Sequence, residues 1–327
     1  MILLTRDPER VPGELATDVA VLKGSLGSLS SFQAALQGCD EVIHCAKSDH
    51  PVPEVRARED IEGTRSLLSA SISARVRRFQ QLSTISVYGI TPDGIVNETF
   101  APQPTADHYS KSKLQIEQEV LGKSSEIEVV VLQAANVYGP GHCWWSHTLL
   151  NMMRRGTVIL VNEGRGLANM VHVSDLVGAI LLASRAPQIS GERFIISDGR
   201  PILWRAYFRA LEKIIGRSAT LELPAEKAKT LSRKLLARSP IVRARRAVGR
   251  ALFNEPIIFP LADEAIDRYA CQTVFGIEKA VTHIGYQPLY DLARGLETVR
   301  EFESNQKSSF EVRNDLTHRG STETYAE

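Results

Sequence analysis

Long apolar runs are missing from this sequence of 327 residues. No stretch of about 18 consecutive apolar residues occurs, so no segment reads as a membrane-spanning helix. The first ten residues, MILLTRDPER, also lack the long apolar core and the small-residue cleavage site of a secretory signal. Because nothing in the sequence directs the chain outward, we expect a cytoplasmic protein.

Cysteine and net charge are scarce as well. The 39 Lys and Arg residues nearly balance the 38 Asp and Glu residues, which leaves a net charge of +1. This balance gives no global field for nucleic acid, so we expect no nucleic-acid partner. The four cysteines form neither a CxxC pair nor a finger-like set, which favours reduced thiols and no metal site: Cys39, Cys45, Cys143 and Cys271.

Short apolar runs alternate with longer amphipathic stretches along the chain. ILLT (2–5), VAVLKG (19–24) and EVIHCA (41–46) read as strands, the last of them buried, and SLSSFQAALQGC (28–39) reads as a helix. This rhythm predicts an α/β fold. The same reading predicts further helices at 54–77, 107–122, 146–155, 174–185 and 203–216, and further strands within 77–89, 128–141, 158–161 and 193–199.

The pattern divides the chain into three parts. The alternation of strands and helices is regular in residues 1–143 and looser in residues 144–303, whose last part predicts a smaller appended region. Residues 304–327 are polar enough for a disordered tail. The segment 225–252 is basic and amphipathic, which fits a weak contact with an anionic membrane surface but equally a solvated helix face.

The stretch DHYSKSKLQIEQEV (107–120) places Tyr109 and Lys113 one turn apart at the predicted start of a helix. Residues at i and i+4 share a helix face, so the phenol and the ammonium can approach a common third group. A tyrosine that titrates near neutrality requires roughly 4 kcal/mol of preference for the phenolate, which a neighbouring cation can partly provide. The pair is therefore a candidate proton-transfer device, although it also fits an ordinary helix face.

Five motifs in order support a family assignment. They are LSTISVYG (82–89), the Tyr109 and Lys113 pair, ANVYGPG (135–141), MVHVSDLVGAIL (170–181) and IGYQP (284–288). Together they resemble the extended short-chain dehydrogenase/reductase family, which includes nucleotide-sugar epimerases and the hydroxysteroid and flavonol-type reductases. The resemblance implies a Rossmann-like doubly wound parallel sheet with a smaller C-terminal substrate-binding region. By the same resemblance, residues 1–143 are a Rossmann-like dinucleotide-binding domain that is incomplete at its N-terminus, and residues 144–303 hold the remaining sheet elements and the substrate-binding region.

The resemblance also implies roles for individual residues. Hydride transfer at a carbinol or carbonyl carbon needs a proton donor or acceptor and a second hydrogen-bonding group on the oxygen. By resemblance, Tyr109 is the acid/base, Lys113 lowers its pKa and bonds the nicotinamide ribose, and Thr84 bonds the substrate oxygen. The cofactor-binding set implied by the family is Arg6, Ser25, Leu26, Cys45, Ala46, Ser83, Tyr109, Lys113 and Asn136, and the substrate set is Thr84, Tyr109, Asn136, Trp144 and Trp145.

Two of these assignments keep alternatives. Trp144 and Trp145 fit either stacking on a ring-shaped ligand or closing a core. Arg6 follows the second strand of the family, where an arginine suits the 2′-phosphate of NADP, while the adjacent Asp7 keeps NAD possible. We expect NADP.

The sequence also departs from the family pattern. The family begins with a strand and a glycine-rich turn that binds the dinucleotide pyrophosphate, whereas ILLT resembles the second strand of the family. We therefore expect Met1 to lie inside a longer natural chain, with a defective remnant as the alternative, and the activity of these 327 residues is left open. Smaller departures are Ser25 for an acidic residue, Asp60 for an asparagine and Gln133 for an arginine.

Three functional hypotheses follow. The leading one is an NAD(P)-dependent oxidoreductase that interconverts a secondary alcohol and a ketone of a small molecule. The second is a nucleotide-sugar epimerase or dehydratase of the same fold. The third is a non-catalytic regulatory protein without dinucleotide binding. The resemblance further implies a homodimer whose interface includes the helix that carries Tyr109.

Overall fold

The computed structural model describes residues 1–237 and 257–319. The chain divides into two units, and each is described by itself. The first unit comprises Met1–Ala135, Val177–Ile196 and Phe275–Gln287; the second comprises Asn136–Leu176, Ser197–Val274 and Pro288–Glu327. These units are not continuous segments, so the sequential division at residue 143 stays a prediction.

Strands and helices alternate along the described chain. The strands are β1 (Ile2–Thr5), β2 (Ala20–Lys23), β3 (Glu41–His44), β4 (Arg78–Thr84), β5 (Gly94–Val96), β6 (Glu128–Ala134), β7 (Asn136–Tyr138), β8 (Gly156–Val161), β9 (Leu167–Ala168), β10 (Met170–His172), β11 (Glu192–Ile196), β12 (Ile202–Leu203), β13 (Thr220–Leu223), β14 (Ile257–Phe259) and β15 (Thr273–Phe275). The helices are α1 (Gly13–Ala16), α2 (Pro53–Ser73), α3 (His108–Leu121), α4 (Leu149–Arg155), α5 (Val173–Arg185), α6 (Trp204–Ile215), α7 (Ala225–Leu236), α8 (Asp263–Ala270), α9 (Glu278–Ile284) and α10 (Leu292–Arg319).

The first unit is built on parallel strands. Four of them form one sheet in the order β11-β6-β4-β3, in which Gln81 of β4 lies opposite Val131 of β6. Strands β1 and β2 form a separate parallel pair in which Leu3 lies opposite Val21. Parallel strands joined by helices are the arrangement that the alternating sequence pattern predicted, so the α/β fold class is confirmed.

Alternate residues of β4 contact helices on opposite faces of the sheet. Phe79 is fully buried and packs in a core with Leu67 of α2 and Ile116 of α3. On the other face, Arg78 donates to the carbonyl oxygen of Ala186 at 2.9 Å, and Gln80 donates to that of Ile180 in α5 at 3.1 Å. Because successive side chains of a strand point to opposite faces, helices cover both sides, as in a doubly wound sheet.

Two sequence predictions differ from the structure near the open side of this sheet. Strand β3 is not fully buried: Ile43 is 45% exposed because, in the described chain, β3 pairs only with β4 and its other side borders a cavity. Residues 28–39 form two short 3₁₀ turns, Leu29–Ser31 and Gln33–Leu36, and not one helix. The hydroxyl of Ser31 donates to the carbonyl of Ser28 at 2.7 Å, a local bond that competes with helix formation.

The second unit has its own sheet and core. Strand β8 is the central strand of a three-stranded parallel sheet in the order β13-β8-β14. Its core gathers the aromatic residues Tyr138, Trp204, Tyr207 and Phe208, three of which lie on α6. The amphipathic pattern that predicted a helix at 203–216 is therefore explained by this buried face.

Helix boundaries shift where the predicted segments meet loops. Residues Trp144–Thr148 form a π-helical turn ahead of α4, so the helix predicted at 146–155 begins later. Helix α10 extends through residue 319, and residues 304–319 are therefore helical here where the sequence favoured a disordered tail. Glu, Gln, Lys and Arg, which are frequent in this segment, are all favourable in helices.

Asp198, which follows β11, provides a pH-dependent prediction for the second unit. It is 4% exposed, and burial raises the pKa of its carboxyl to about 6. The folded state therefore binds a proton more tightly than the unfolded state, and stability falls as pH rises from about 4 to 6. The free energy of unfolding of the Asp198→Asn variant does not include this loss. Relative to the wild type, it should therefore rise by up to about 2–3 kcal/mol as the pH increases across this range.

The measurement is the urea midpoint of both proteins from pH 4 to 7. The difference between them should grow with pH and level off above the raised pKa. A constant difference would contradict a raised pKa at Asp198.

Candidate active site

Thr84 ends strand β4 at the border of a short turn. Its backbone is extended, and its hydroxyl oxygen accepts a hydrogen bond from the amide of Ser86 at 3.2 Å, which caps the 3₁₀ turn Ile85–Tyr88. The cap fixes the hydroxyl at the carboxyl end of a central parallel strand. Ligands of open α/β sheets bind at these carboxyl ends, so the position suits a substrate-binding hydroxyl.

The start of helix α3 is fixed by Asp107. Its carboxylate accepts a hydrogen bond from the amide of Ser110 at 2.8 Å, as an N-cap residue does. The cap places Tyr109 in the first turn, where its side chain is 40% exposed. The residue is therefore partly open to solvent. The helix predicted at this tyrosine is confirmed.

Lys113 lies one turn further along α3 and is buried. Its side chain is on the inner face of the helix, and Nζ donates to the carbonyl oxygen of Leu82, two residues before Thr84, at 3.3 Å. Burial lowers the pKa of this lysine, and the negative charge of Asp60 acts in the opposite direction. The structure thus brings a buried cation of α3 against the end of β4.

Two further charged groups lie near this lysine. Asp60 of α2 accepts a hydrogen bond from the amide of Ser48 at 2.5 Å, and burial raises the pKa of its carboxyl. Lys47, which follows β3, places Nζ 5.6 Å from the centre of the Tyr109 ring. Tyr109 is therefore close to two lysines, one on its own helix and one on the loop after β3.

A buried polar chain lies behind Thr84. Ser83 donates to the carboxylate of Glu117, and the side-chain amide of Gln133 donates to both of its oxygens at 3.1 and 2.9 Å. The hydroxyl of Tyr88 then donates to Gln133 at 2.8 Å. Burial raises the pKa of Glu117. The predicted cofactor contact of Ser83 stays a prediction, and in this structure its hydroxyl is engaged by Glu117.

A cavity of about 800 Å³ opens between the two sheets of the first unit. Both β1 and β3 line it, and each of them pairs with one strand only in the part of the chain that the structure describes. Its volume is within the range of cofactor sites. Five of the predicted cofactor residues line this single cavity: Arg6, Ser25, Leu26, Cys45 and Ala46.

Arg6 is engaged in an ion pair at the rim of the cavity. Its Nη1 lies 2.9 Å from Oδ1 of Asp49, and both side chains are largely exposed. The hydrogen bond from Arg6 holds the pKa of the Asp49 carboxyl below its usual range. An exposed pair of this kind contributes little to stability and can exchange for another anion.

Comparison with known proteins places this geometry in a family. The model of the NAD dependent epimerase/dehydratase family matches residues 1–197, which carry β1 to β4, α3 and the cavity. The chain belongs to the NAD-dependent epimerase/dehydratase family. The resemblance carried by the five sequence motifs is confirmed at the level of this family.

Two curated relatives illustrate the range of this epimerase/dehydratase family. Short-chain dehydrogenase/reductase family 42E member 1 of Xenopus laevis is 29% identical over 226 residues, which cover 62% of this chain and 58% of the relative. UDP-glucose 4-epimerase of Vibrio cholerae is 27% identical over 212 residues, covering 62% of this chain and 64% of the relative. The chain thus spans less than two thirds of the length of either relative.

A solved structure shows the same fold over nearly the whole chain. UDP-glucose 4-epimerase of Thermotoga maritima superposes with a TM-score of 0.69 at 22% identity, covering 93% of this chain and 91% of that chain. This likeness supports the Rossmann-like fold and adds nothing about substrate.

In this epimerase/dehydratase family member, the other predicted substrate residues lie in the second unit. Asn136 begins β7, and Trp144 is 59% exposed. Trp145 packs against Trp204, with ring centres 5.1 Å apart, at the core of that unit. Of the two readings for the tryptophans, core packing describes Trp145, whereas Trp144 is available to a ligand.

The remaining sequence predictions concern surfaces and metals. On α7, Lys229 pairs with Asp267 at 2.7 Å and Arg233 pairs with Asp263, while residues 238–256 of the basic segment lie outside the described residues. Within the described ranges, no group of three His, Cys, Asp or Glu side chains has the geometry of a metal site. No described helix has the length and hydropathy needed to cross a membrane.

Sequence reasoning missed Lys47 and Glu117. Glu117 stands four residues after Lys113, so the helical spacing that singled out the tyrosine and lysine also extends to this carboxylate. Lys47 directly follows the third strand, and only its position at the carboxyl end of a parallel strand could have indicated it.

Proposed function

We propose that the chain is an NAD(P)-dependent oxidoreductase that interconverts a secondary alcohol and a ketone. The observation that carries this proposal is the buried Lys113, whose Nζ bonds the carbonyl of Leu82 beside Thr84. In the described chain, no carboxylate lies within ion-pair distance of this Nζ. A buried cation that is not paired is costly, so its retention on the face that carries Tyr109 points to chemistry.

The residues of the first unit support a division of roles. Tyr109 exchanges a proton with the substrate oxygen, Lys113 favours the phenolate, and Thr84 donates a hydrogen bond to the same oxygen. The nicotinamide, when bound, supplies or accepts the hydride. Tyr109 is partly exposed, while the burial of Lys113 strengthens its electrostatic effect.

The cavity fits part of a dinucleotide. Ser25 and Leu26 follow β2 and would border the adenosine, while Cys45 and Ala46 follow β3 and would border the ribose nearer to Lys113. The residues that line the cavity do not include a glycine-rich turn at a helix N-terminus, which is the element that usually binds the pyrophosphate. We propose NADP as the preferred cofactor because Arg6 is at the rim.

Cofactor preference is a testable consequence of Arg6. Exchange of its partner Asp49 for the 2′-phosphate would retain one charge-assisted bond and add a stronger anion. Preference is the ratio of the dissociation constant for NADH to that for NADPH. In Arg6→Ala this ratio should fall by about 5- to 10-fold, the range for one exposed charge-assisted contact. Dissociation constants come from fluorescence titration at fixed salt.

The matched control is Arg10→Ala, because Arg10 is an exposed arginine that pairs with Asp7 and does not line the cavity. Its variant should retain the wild-type preference. Equal affinities of the wild type for the two cofactors would contradict the choice of NADP.

The experiment that tests the proposed function compares two lysines near one helix. Lys113→Ala should weaken NADPH binding by about tenfold or more and abolish hydride transfer, because the ammonium is expected to bond the ribose and to act on Tyr109. Lys123→Ala removes an exposed lysine after the same helix and should leave both unchanged. Hydride transfer is followed as NADPH consumption with a panel of ketones. Equal behaviour of the two variants would refute the proposal.

A nucleotide-sugar epimerase is the second candidate, favoured by the similarity to the UDP-glucose 4-epimerase of Vibrio cholerae. An epimerase returns the hydride to its substrate, whereas a reductase transfers it permanently. NADPH that carries deuterium at the reactive carbon separates the two, since only a reductase places the label in a released alcohol.

We also propose a homodimer through the surface that includes α3, which light scattering can test.

A further inference from the structure

Lys47 has a position that the proposed roles do not explain. It follows β3 on an exposed loop, lines the cavity, and holds Nζ 5.6 Å from the centre of the Tyr109 ring. This distance is within the range in which an ammonium interacts with an aromatic face. In the part of the chain that the structure describes, no carboxylate forms an ion pair with Lys47.

Two lysines approach Tyr109 from different elements of the first unit. Lys113 lies one turn along the same helix, and Lys47 approaches the ring from the loop after β3. Asp60 of α2 is the nearby acidic group that interacts with both lysines. His108, beside the tyrosine in sequence, is paired with Glu54 at 3.0 Å. The charged or titratable groups of this region of the first unit are Lys47, Lys113, Asp60, Asp107, His108, Glu54, His44 and Cys45.

A cation above the ring acts differently on the two protonation states of the phenol. The neutral ring attracts it through the quadrupole alone, whereas the phenolate adds a full negative charge that is shared with the ring. The interaction is therefore stronger with the phenolate. Lys113 is buried, whereas Lys47 is exposed to solvent. Salt therefore screens the interaction of Lys47 with Tyr109 much more than that of Lys113.

We propose that Lys47 is a second cation that favours the phenolate of Tyr109. It thereby shares with Lys113 the task of preparing this tyrosine for proton transfer. The inference deepens the proposed function, on which it rests, but its test requires neither substrate nor turnover.

The test is a spectrophotometric titration of the full chain. The tyrosinate absorbance of each protein is recorded against pH, and the curve of its Tyr109→Phe counterpart is subtracted, which isolates one tyrosine among the eight in the sequence. In Lys47→Met, which keeps an unbranched side chain only one atom shorter, the midpoint for Tyr109 should rise by about half a unit to one unit. Lys47→Arg should restore the wild-type midpoint.

Lys111→Met provides the matched control, because Lys111 is an exposed lysine two residues from Tyr109 and lies on a different side of the helix. It changes the net charge equally and should leave the midpoint unchanged. The effect of Lys47→Met should also shrink at high salt.

Two results would overturn the inference. One is a Lys47→Met midpoint equal to that of the wild type. The other is an equal rise in Lys111→Met, which would assign the effect to net charge. Failure of the proposed function looks different, since hydride transfer would then be absent while the titration midpoints still separated as expected.

Discussion

Replacing Tyr109 by phenylalanine is expected to lower kcat by about 10³- to 10⁴-fold and to leave the affinity for the dinucleotide nearly unchanged. The variant removes the hydroxyl that exchanges the proton but keeps the ring, the cap at Asp107 and the buried Lys113. Because the hydroxyl takes part in proton transfer and not in binding of the dinucleotide, its loss should lower kcat and leave the dissociation constant nearly unchanged. Single-turnover kinetics together with fluorescence titration of NADPH measure both quantities.

Two variants of Thr84 serve as comparison for Tyr109→Phe. Thr84→Ala should lower the rate by about 10²- to 10⁴-fold, because the substrate oxygen loses a positioned hydrogen-bond donor. Thr84→Ser keeps the hydroxyl and the cap on Ser86, so most of the rate should remain. If Tyr109→Phe kept full activity on a confirmed substrate, the tyrosine and Lys113 would be an ordinary helix face.

The position of the tyrosine could be predicted because local signals agree there. Asp107 is a good N-cap residue, and the i, i+4 spacing puts Tyr109 and Lys113 on one face whatever surrounds the helix. The end of β4 was also readable, since counting back from the tripeptide VYG (87–89) selects Thr84. These features depend on residues close in sequence, and the structure contains them as predicted.

Other features depend on contacts that sequence patterns do not encode. The apolar run EVIHCA read as a buried strand, yet Ile43 borders a cavity, because burial depends on which strands lie beside it. Residues 28–39 have a helical pattern, yet the hydroxyl of Ser31 donates to the nearby carbonyls of Ser25 and Ser28. Lys47 could not be assigned from sequence, since its role follows from a loop meeting a ring more than 60 residues away.

The hydrogen-bond partners of buried polar residues also depend on contacts between residues far apart in sequence. Gln133 occupies a position where the related family usually has an arginine, which suggested weakened activity from sequence alone. The structure shows what the amide does: it bonds both oxygens of Glu117 and accepts a bond from Tyr88. A neutral partner satisfies the hydrogen bonds of this carboxylate but does not balance its charge, and burial consequently raises the pKa of Glu117.

Glu117→Ala is therefore expected to be strongly destabilising. Glu117 has no exposed surface, and the variant leaves the hydroxyl of Ser83 and the amide of Gln133 without their acceptor inside the protein. Each unsatisfied group costs about 1–3 kcal/mol, and the lost side chain leaves a cavity in addition. We expect a loss of about 3–5 kcal/mol, measured as a lower urea midpoint of the first unit.

The conservative variant separates hydrogen bonding from charge. In Glu117→Gln, the new side chain can still accept from Ser83, and Gln133 can rotate its amide to accept from the new NH₂ group and donate to Tyr88. It also removes a buried charge, so the loss should stay below about 1 kcal/mol at neutral pH. Glu126→Ala, which removes an exposed carboxylate paired with Lys123, should change stability by less than about 0.5 kcal/mol. If Glu117→Ala were as stable as Glu126→Ala, the polar chain behind Thr84 would not hold the end of β4 in place.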